Sequence, residues 1–141
     1  MKRVGIVGTG TMGRTVAAKF VENGVEVNGY DVSPACVAKG MAAGISMCAS
    51  LAQLAGRSDW IILFLPGPAE IAECVCAEKG LLPVLPAGAI IIDMCTSSPE
   101  NTRAMESAAR AAGVRYIDAP VLGRPASVGK WALPVGGDAA A

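Results

Sequence analysis

The start of the chain constrains its fold more strongly than any other part. An apolar stretch, Arg3 to Val7, runs directly into Gly8-x-Gly10-x-x-Gly13, and a helical pattern begins at Thr11. After a strand and before a helix, the first glycine makes a tight turn, the second lets a pyrophosphate approach the backbone, and the third lets the helix pack closely. The order predicts a dinucleotide-binding turn, with phosphates held by free N–H groups and the helix dipole. A glycine-rich turn without function is the alternative.

Apolar runs alternate with helical patterns along the rest of the chain, which is typical of parallel strands joined by right-handed crossovers. The predicted strands are 3–7, 25–30, 45–47, 60–65, 89–94 and 114–118, with a possible further strand at 132–135. The predicted helices are 11–23, a short one from Ser33-Pro34, 50–55, 70–76 and 99–112. In the first helix we expect one buried face, made of Val16, Ala17, Phe20 and Val21. The sequence predicts an α/β fold: one Rossmann-type, doubly wound parallel sheet over residues 1–141.

Composition agrees with this fold and excludes some partners. The chain is 52% hydrophobic and 17% charged, which suits a parallel sheet covered on both faces. Twelve basic residues balance twelve acidic ones and there is no histidine, so nothing indicates nucleic acid or a charged membrane surface. No apolar run has the length of a membrane span, and no signal peptide precedes the first strand. We expect a cytoplasmic protein with neither a nucleic-acid nor a membrane partner.

The cysteines predict free thiols rather than a metal site. They form no C-x-x-C pair and have no histidine to complete a zinc site. Their number is odd, which favours reduced and mostly buried thiols in an intracellular protein. The five are Cys36, Cys48, Cys74, Cys76 and Cys95.

Asp31 is the candidate ribose ligand. It follows Gly13 by eighteen residues and ends the second predicted strand. An acid at this place hydrogen-bonds the adenosine ribose hydroxyls, and its charge repels a 2′-phosphate. Because no arginine follows within a few positions, the sequence favours NAD over NADP as the cofactor. A plain turn aspartate before Ser33-Pro34 is the alternative.

Three more segments end predicted strands, and the carboxyl ends of parallel strands meet at the edge where such sheets bind ligands. They are Leu65-Pro66 after the fourth strand, Asp93 to Pro99 after the fifth and Asp118 to Gly123 after the sixth. Each alone could be a plain loop or helix cap, and Ser97 and Ser98 could simply cap the next helix.

Together these segments resemble the N-terminal domain of the β-hydroxyacid dehydrogenases, a family that includes 3-hydroxyisobutyrate dehydrogenase and is related to 6-phosphogluconate dehydrogenase and the imine reductases. The matching stretches span the chain in order: Gly8-Thr-Gly-Thr-Met-Gly13, Phe64-Leu-Pro66, Asp93-Met-Cys-Thr-Ser-Ser-Pro99, Asp118-Ala-Pro-Val121 and Leu133-Pro-Val-Gly-Gly137. The resemblance implies an NAD(P)-dependent oxidoreductase that transfers a hydride between nicotinamide and a small hydroxy acid or a related carbonyl or imine compound.

The resemblance also implies roles for single residues. Met12 would lie on the nicotinamide side of the cofactor, Leu65 and Pro66 would line its cleft, and Thr96 would contact the nicotinamide ribose. The predicted cofactor-binding residues are therefore Gly8, Thr9, Gly10, Thr11, Met12, Gly13, Asp31, Leu65, Pro66 and Thr96.

At the substrate side the chain departs from the family in two places. Where the family has a serine before the threonine, this chain has Cys95, a poor hydrogen-bond donor. The usual Ser-Gly-Gly loop reads Leu122-Gly123-Arg124. Either the Arg124 fork pairs with a substrate carboxylate, or the substrate is not a simple hydroxy acid. The predicted substrate-binding residues are Cys95, Thr96, Gly123 and Arg124.

No catalytic residue is predicted within the chain. The family's acid/base lysine belongs to an all-helical C-terminal domain, which the resemblance places after Ala141, and Lys130 is expected to be solvated. Gly136 to Ala141 resembles a cap and the first turn of a further helix. We therefore expect the chain to be one domain of a longer, homo-oligomeric enzyme. The alternative is a non-catalytic NAD-binding or regulatory module.

Overall fold

The sheet of the computed structural model, which describes residues 3–137, contains seven strands in the order β3-β2-β1-β4-β5-β6-β7. The first six are parallel and β7 is antiparallel to β6. Their bounds are β1 Arg3–Val7, β2 Glu26–Tyr30, β3 Ser46–Met47, β4 Trp60–Leu63, β5 Ile90–Asp93, β6 Arg115–Asp118 and β7 Gly136–Gly137. The order reverses at β1, which pairs with β2 on one side and β4 on the other. The predicted doubly wound fold is confirmed.

Five helices connect the parallel strands. They are α1 Thr11–Glu22, α2 Pro34–Ala42, α3 Leu51–Arg57, α4 Pro68–Cys76 and α5 Pro99–Ala111, with a single 3₁₀ turn at Pro125–Ser127. Three of them begin with proline, whose fixed φ suits the first helical position. Ser33 and Ser98 cap two of these by accepting the N–H groups of Cys36 and Asn101 at 3.4 and 3.2 Å.

Apolar side chains cover both faces of the sheet. Successive strand residues point to opposite faces, so Ile61 and Ile62 of β4 belong to two separate clusters. One cluster packs against α3, α4 and α5, and the other packs against α1. The central strands are therefore buried on both sides, as parallel sheets require. This burial fixes the carboxyl ends of the strands, where the site lies.

Two predictions about local structure near the end of the chain need correction. Residues 132–135 are not a strand: Ala132 forms an isolated bridge with Leu122. Gly136–Gly137 is the short strand β7 rather than a helix cap, because its backbone pairs with Ile117 and Asp118 of β6. The rest of the predicted helical turn, 138–141, lies outside the described residues.

Val21 is not on the buried face of α1, being 38% exposed, whereas Val16 and Ala17 are buried. Val21 lies in the last turn of the helix beside Gly44, whose missing Cβ would be 3.6 Å from Val21 Cγ1. Because residue 44 is a glycine, it has no side chain that could cover Val21.

No helix within residues 3–137 combines the length and the apolar composition needed to cross a membrane. The five cysteines have free thiols; Cys48, Cys74 and Cys95 are buried, Cys36 is half-buried and Cys76 is exposed.

Candidate cofactor-binding cleft

A cleft of about 500 Å³ opens at the carboxyl ends of β1, β2 and β4. It lies where the strand order reverses, the position at which open α/β sheets bind their ligands. Five of the predicted cofactor-binding residues line it: Gly8, Gly10, Asp31, Leu65 and Pro66. Residues distant in sequence thus meet in one cavity, as their places at strand ends predict.

The three glycines of the turn have different surroundings. Gly8 has a φ of +86°, and a Cβ there would lie 2.1 Å from the carbonyl oxygen of Phe64. A Cβ at Gly13 would lie 2.0 Å from the carbonyl oxygen of Gly8. A Cβ at Gly10 would meet no heavy atom of the described residues within 4 Å. Packing therefore explains Gly8 and Gly13, whereas the space over Gly10 is open to a ligand.

The beginning of α1 has the chemistry of an anion site. Gly10 is its N-cap, and no side chain of the described residues caps it. The first N–H groups of a helix lack partners within the helix, and the dipole adds positive potential there. Arg14 Nη1 donates to the Thr9 carbonyl oxygen at 2.9 Å and braces the turn. This open, N–H-rich turn fits a pyrophosphate.

Asp31 is held firmly at the edge of the cleft. Its Oδ2 accepts the Thr9 N–H at 2.7 Å and the Thr9 hydroxyl at 3.3 Å, and its Oδ1 accepts the Ser33 N–H at 2.8 Å. A carboxylate offers about four lone-pair directions, so one remains on Oδ1 for a ribose hydroxyl. The bond to Ser33 also shows that Asp31 is a turn residue. Both interpretations of Asp31 are thus compatible with one geometry.

The remaining predicted cofactor residues lie around the cleft rather than in its wall, within the part of the chain described. Thr9 is fully buried beneath the turn, where its hydroxyl reaches Asp31 and the Cys36 carbonyl oxygen. Thr11, Met12 and Gly13 form the first turn of α1. Thr96 is exposed beyond the end of β5. Their contact with a cofactor stays a prediction.

The segment after β5 combines a helix cap with a buried thiol. Ser98 caps α5 and Ser97 Oγ accepts from Asn101 Nδ2 at 2.9 Å, so the capping interpretation of Ser98 is confirmed. Cys95 is only 4% exposed. Its Sγ accepts the Leu65 N–H at 3.0 Å, and its own N–H donates to Asp93 Oδ1 at 2.9 Å. The predicted substrate contact of Cys95 stays a prediction.

Beneath this segment lies a buried group of titratable side chains that the sequence analysis missed. Asp93 is fully buried and accepts the Tyr116 hydroxyl on Oδ2. Burial, followed by the hydrogen bond to Asp93 and its charge, raises the pKa of Tyr116. Burial and the charge of Asp93 also raise the pKa of Cys95, and they raise that of Cys74 to about 12. Burial, with the charge of Asp93, raises the pKa of Asp118 as well.

The predicted substrate loop lies apart from the cleft wall. Gly123 is exposed, and a Cβ there would lie 2.1 Å from Trp131 Cδ1. Trp131 Nε1 donates to the Arg124 carbonyl oxygen at 2.8 Å. The indole thus holds the backbone of the loop and leaves Arg124 exposed. Lys130 is exposed, as expected.

Helix α4 and the residues after it supply the far wall of the cleft, and none of these residues was predicted from the sequence to line a site. They are Glu70, Glu73, Cys74, Ala77 and Lys79. The available signal was Pro66-Gly67-Pro68, which stops one strand and starts the next helix at the ligand edge. It predicts a helix there but not which of its side chains face the cavity.

Comparison with known proteins agrees with this geometry. Residues 3–141 match the family model described as the NAD binding domain of 6-phosphogluconate dehydrogenase. The chain is 33% identical to 2-(hydroxymethyl)glutarate dehydrogenase of Eubacterium barkeri, over 95% of this chain and 45% of that protein. It is 31% identical to the NAD-dependent L-serine dehydrogenase of Pseudomonas aeruginosa, over 100% of this chain and 48% of that protein.

A solved structure shows the same fold. The 3-hydroxyisobutyrate dehydrogenase of Mycobacterium tuberculosis, determined with L-serine, superposes with a TM-score of 0.92 at 27% identity, over 99% of this chain and 48% of that one. The chain spans about half the length of the curated relatives it matches.

Proposed function

The chain belongs to the family of NAD-binding domains of 6-phosphogluconate dehydrogenase, and from that premise we propose that it serves an NAD-dependent oxidoreductase acting on small hydroxy acids. One observation carries the proposal: a single cleft joins the open backbone at Gly10 to the fixed carboxylate of Asp31. When bound, the cofactor supplies the ring that exchanges the hydride, and the protein binds and orients it.

Each part of the cofactor has a matching part of the chain. The N–H groups at the start of α1 would hold the pyrophosphate above Gly10. Asp31 Oδ1 would accept a hydroxyl of the adenosine ribose. Leu65 and Pro66 line the same cleft, and we propose that they, with Met12 and Thr96, lie towards the nicotinamide. These residues bind and orient; none of them is assigned a proton transfer.

We propose a preference for NAD over NADP. Thr9 and Ser33 hold both oxygens of Asp31, so the carboxylate cannot turn away from a 2′-phosphate, which it would repel. Titration calorimetry of the chain should show NAD binding about tenfold or more tighter than NADP, equivalent to about 1.4 kcal/mol. Asp31→Asn keeps the shape without the charge and should narrow this ratio.

Glu26→Gln is the matched control, because it removes one negative charge on β2 at an exposed position outside the cleft wall. It should leave the ratio of the two affinities unchanged. Equal or reversed affinities in the unsubstituted chain would contradict the role of Asp31. No binding of either cofactor would contradict the proposed function itself.

We propose a small substrate with a carboxylate, as the names of the relatives suggest, and Arg124 as the cation that pairs with it. The guanidinium is exposed while Trp131 fixes the Arg124 backbone. In the longer polypeptide, Arg124→Ala should raise the KM for an acidic substrate about tenfold and leave the KM for NAD nearly unchanged. Lys130→Ala, which removes a positive charge from the same loop, is the control. An equal effect of both variants would indicate general charge attraction instead of a specific contact.

We further propose that a second, helical domain supplies the acid/base lysine, that the whole enzyme is a homo-oligomer, and that it works in the cytoplasm. The chain spans about half of its relatives. Apolar side chains suited to a contact are exposed on one segment near β7, namely Leu122, Leu133 and Val135. The free thiols suit a reducing compartment.

A further inference from the structure

The thiol of Cys95 connects two loops that are far apart in sequence. Its sulfur accepts the N–H of Leu65 at 3.0 Å, from the segment that follows β4. The backbone N–H of Cys95 donates to Asp93 Oδ1 at 2.9 Å, and burial together with the charge of Asp93 raises the pKa of the thiol, which keeps it protonated. A protonated thiol has one weak donor and weak acceptor capacity. The acceptor capacity is used inside the protein, on the Leu65 N–H.

Asp93 is in turn held by the neighbouring strand. It is fully buried at the end of β5, where Oδ2 accepts the Tyr116 hydroxyl and Oδ1 accepts the Cys95 N–H. Tyr116 belongs to β6 and is 4% exposed. A buried carboxylate with charge-assisted hydrogen bonds on both oxygens has a well-defined orientation. The contacts therefore run continuously from β6 through β5 to the loop after β4.

Leu65 brings this chain of contacts to the cleft. It lines the cleft wall, and its neighbour Phe64 packs directly beneath the glycine turn, as the 2.1 Å approach of a Cβ at Gly8 to the Phe64 carbonyl oxygen shows. A shift of the Leu65 backbone would therefore move one wall of the cleft. Without the Cys95 sulfur the half-buried Leu65 N–H would lose its acceptor in the protein, which is unfavourable.

We propose that Cys95 is a positioning residue: its sulfur holds the Leu65 N–H and so fixes the cleft wall against which the cofactor binds, instead of contacting the substrate. Asp93 and Tyr116 act in the same role, because Asp93 holds the backbone N–H of Cys95 and Tyr116 holds Asp93. The inference rests on the proposed NAD-binding function.

The test uses the chain itself with two substitutions of the same residue. Cys95→Ala removes the acceptor, whereas Cys95→Ser keeps a side chain that can accept from the Leu65 N–H. Two quantities are measured: NAD affinity by calorimetry, and exchange of the Leu65 amide hydrogen by NMR. Cys95→Ala should weaken NAD binding about threefold or more and accelerate Leu65 exchange about tenfold or more. Cys95→Ser should restore most of both losses.

Cys48→Ala is the matched control for the loss of a buried thiol. Cys48 lies in the same apolar cluster but outside the cleft wall. Both alanine variants should lower the Tm, because each leaves a small cavity. If Cys95 were purely structural, Cys95→Ala would lower the Tm and change neither NAD affinity nor Leu65 exchange, as is expected of Cys48→Ala. A Cys95→Ala chain that matches Cys48→Ala in NAD affinity or in Leu65 exchange would overturn the proposal.

Tyr116→Phe provides a second route if Cys95→Ala does not fold. It removes the hydroxyl that holds Asp93 and leaves Cys95 in place, so NAD binding should weaken about twofold or more; unchanged binding overturns the proposal. If the unsubstituted chain does not bind NAD, the result contradicts both the proposed function and this inference. NAD binding that is equal in all variants contradicts the inference alone.

Discussion

At the scale of single residues, the glycines of the turn differ in whether packing or an incoming ligand requires them. Gly10→Val places its side chain in open space, and the φ of −62° at this position is outside the left-handed region that favours glycine. We expect its free energy of unfolding to stay within about 0.5 kcal/mol of the parent. Because the new side chain occupies the path of the pyrophosphate, NAD affinity should fall about a hundredfold. Urea unfolding and calorimetry measure the two effects.

The neighbouring glycines supply the contrast. Gly13→Ala sets a Cβ 2.0 Å from a backbone oxygen, which should lower the free energy of unfolding by about 1–3 kcal/mol. A Gly10→Val chain that loses stability to the same extent would contradict the assignment of the open space to a ligand.

The sequence predicts the three glycines as one motif but cannot rank them. The constraint on Gly8 comes from Phe64, which lies in the loop after another strand, whereas the constraint on Gly13 comes from the carbonyl oxygen of Gly8. The position of Asp31 beside the glycine turn could be predicted, because the residue stands at the end of a predicted strand, just before Ser33-Pro34. The bond from Tyr116 to Asp93 could not, because it requires the register of β5 against β6, in which Asp93 pairs with Asp118 and Ile91 with Tyr116. Tyr116 therefore reaches Asp93 diagonally across the pair.

At the scale of elements, the bounds of the six predicted parallel strands agree with the structure to within two residues at either end. Arg3–Val7 is found with the predicted bounds, and β4 ends at Leu63, two residues before the predicted end. The shortening follows from Phe64 and Leu65 turning to build the cleft wall. β7 could not be predicted, because a Gly-Gly pair has no side chains to indicate a strand. It is a strand because its backbone pairs with that of β6.

The ends of β5 and β6 and the helix α4 also make stability sensitive to alkaline pH. Burial raises the pKa of Cys74 from its ordinary 9.0 to about 12, and also raises the pKa values of Cys95 and Tyr116. Above the ordinary values the unfolded chain has released these protons while the folded chain retains them. The free energy of unfolding then falls as the pH rises, by about 1.4 kcal/mol per pH unit for each such group.

We therefore expect urea unfolding to show a loss of about 1–3 kcal/mol between about pH 8 and about pH 10. Cys74→Ala should be less stable at the lower pH, because it leaves a cavity, but should lose less on going to the higher pH. An equal loss in this variant would contradict the assignment to the buried thiol.

At the scale of the whole molecule, the candidate cofactor cleft and the predicted substrate loop differ in how enclosed they are. The cleft is lined by residues of β1, β2 and α4 and by the segment that follows β4. The substrate loop, by contrast, is exposed, as are Leu122, Leu133 and Val135 near it. Tyr116 is not an accessible proton donor for this region, since it is buried and its pKa is raised. Binding and catalysis should therefore separate.

We expect the chain of residues 1–141 to bind NADH and yet show no hydride transfer to a panel of small aldehydes and keto acids. Proton transfer by a positioned group contributes about 10²–10⁴-fold to such reactions, and we assign that group to a second domain. Absorbance of NADH measures turnover, calorimetry confirms binding in the same sample, and the longer polypeptide is the positive control. Tyr116→Phe and Lys130→Ala identify any donor within the chain, should turnover occur. A rate near that of the longer polypeptide would contradict the two-domain proposal, because the cleft and one of these side chains would then suffice.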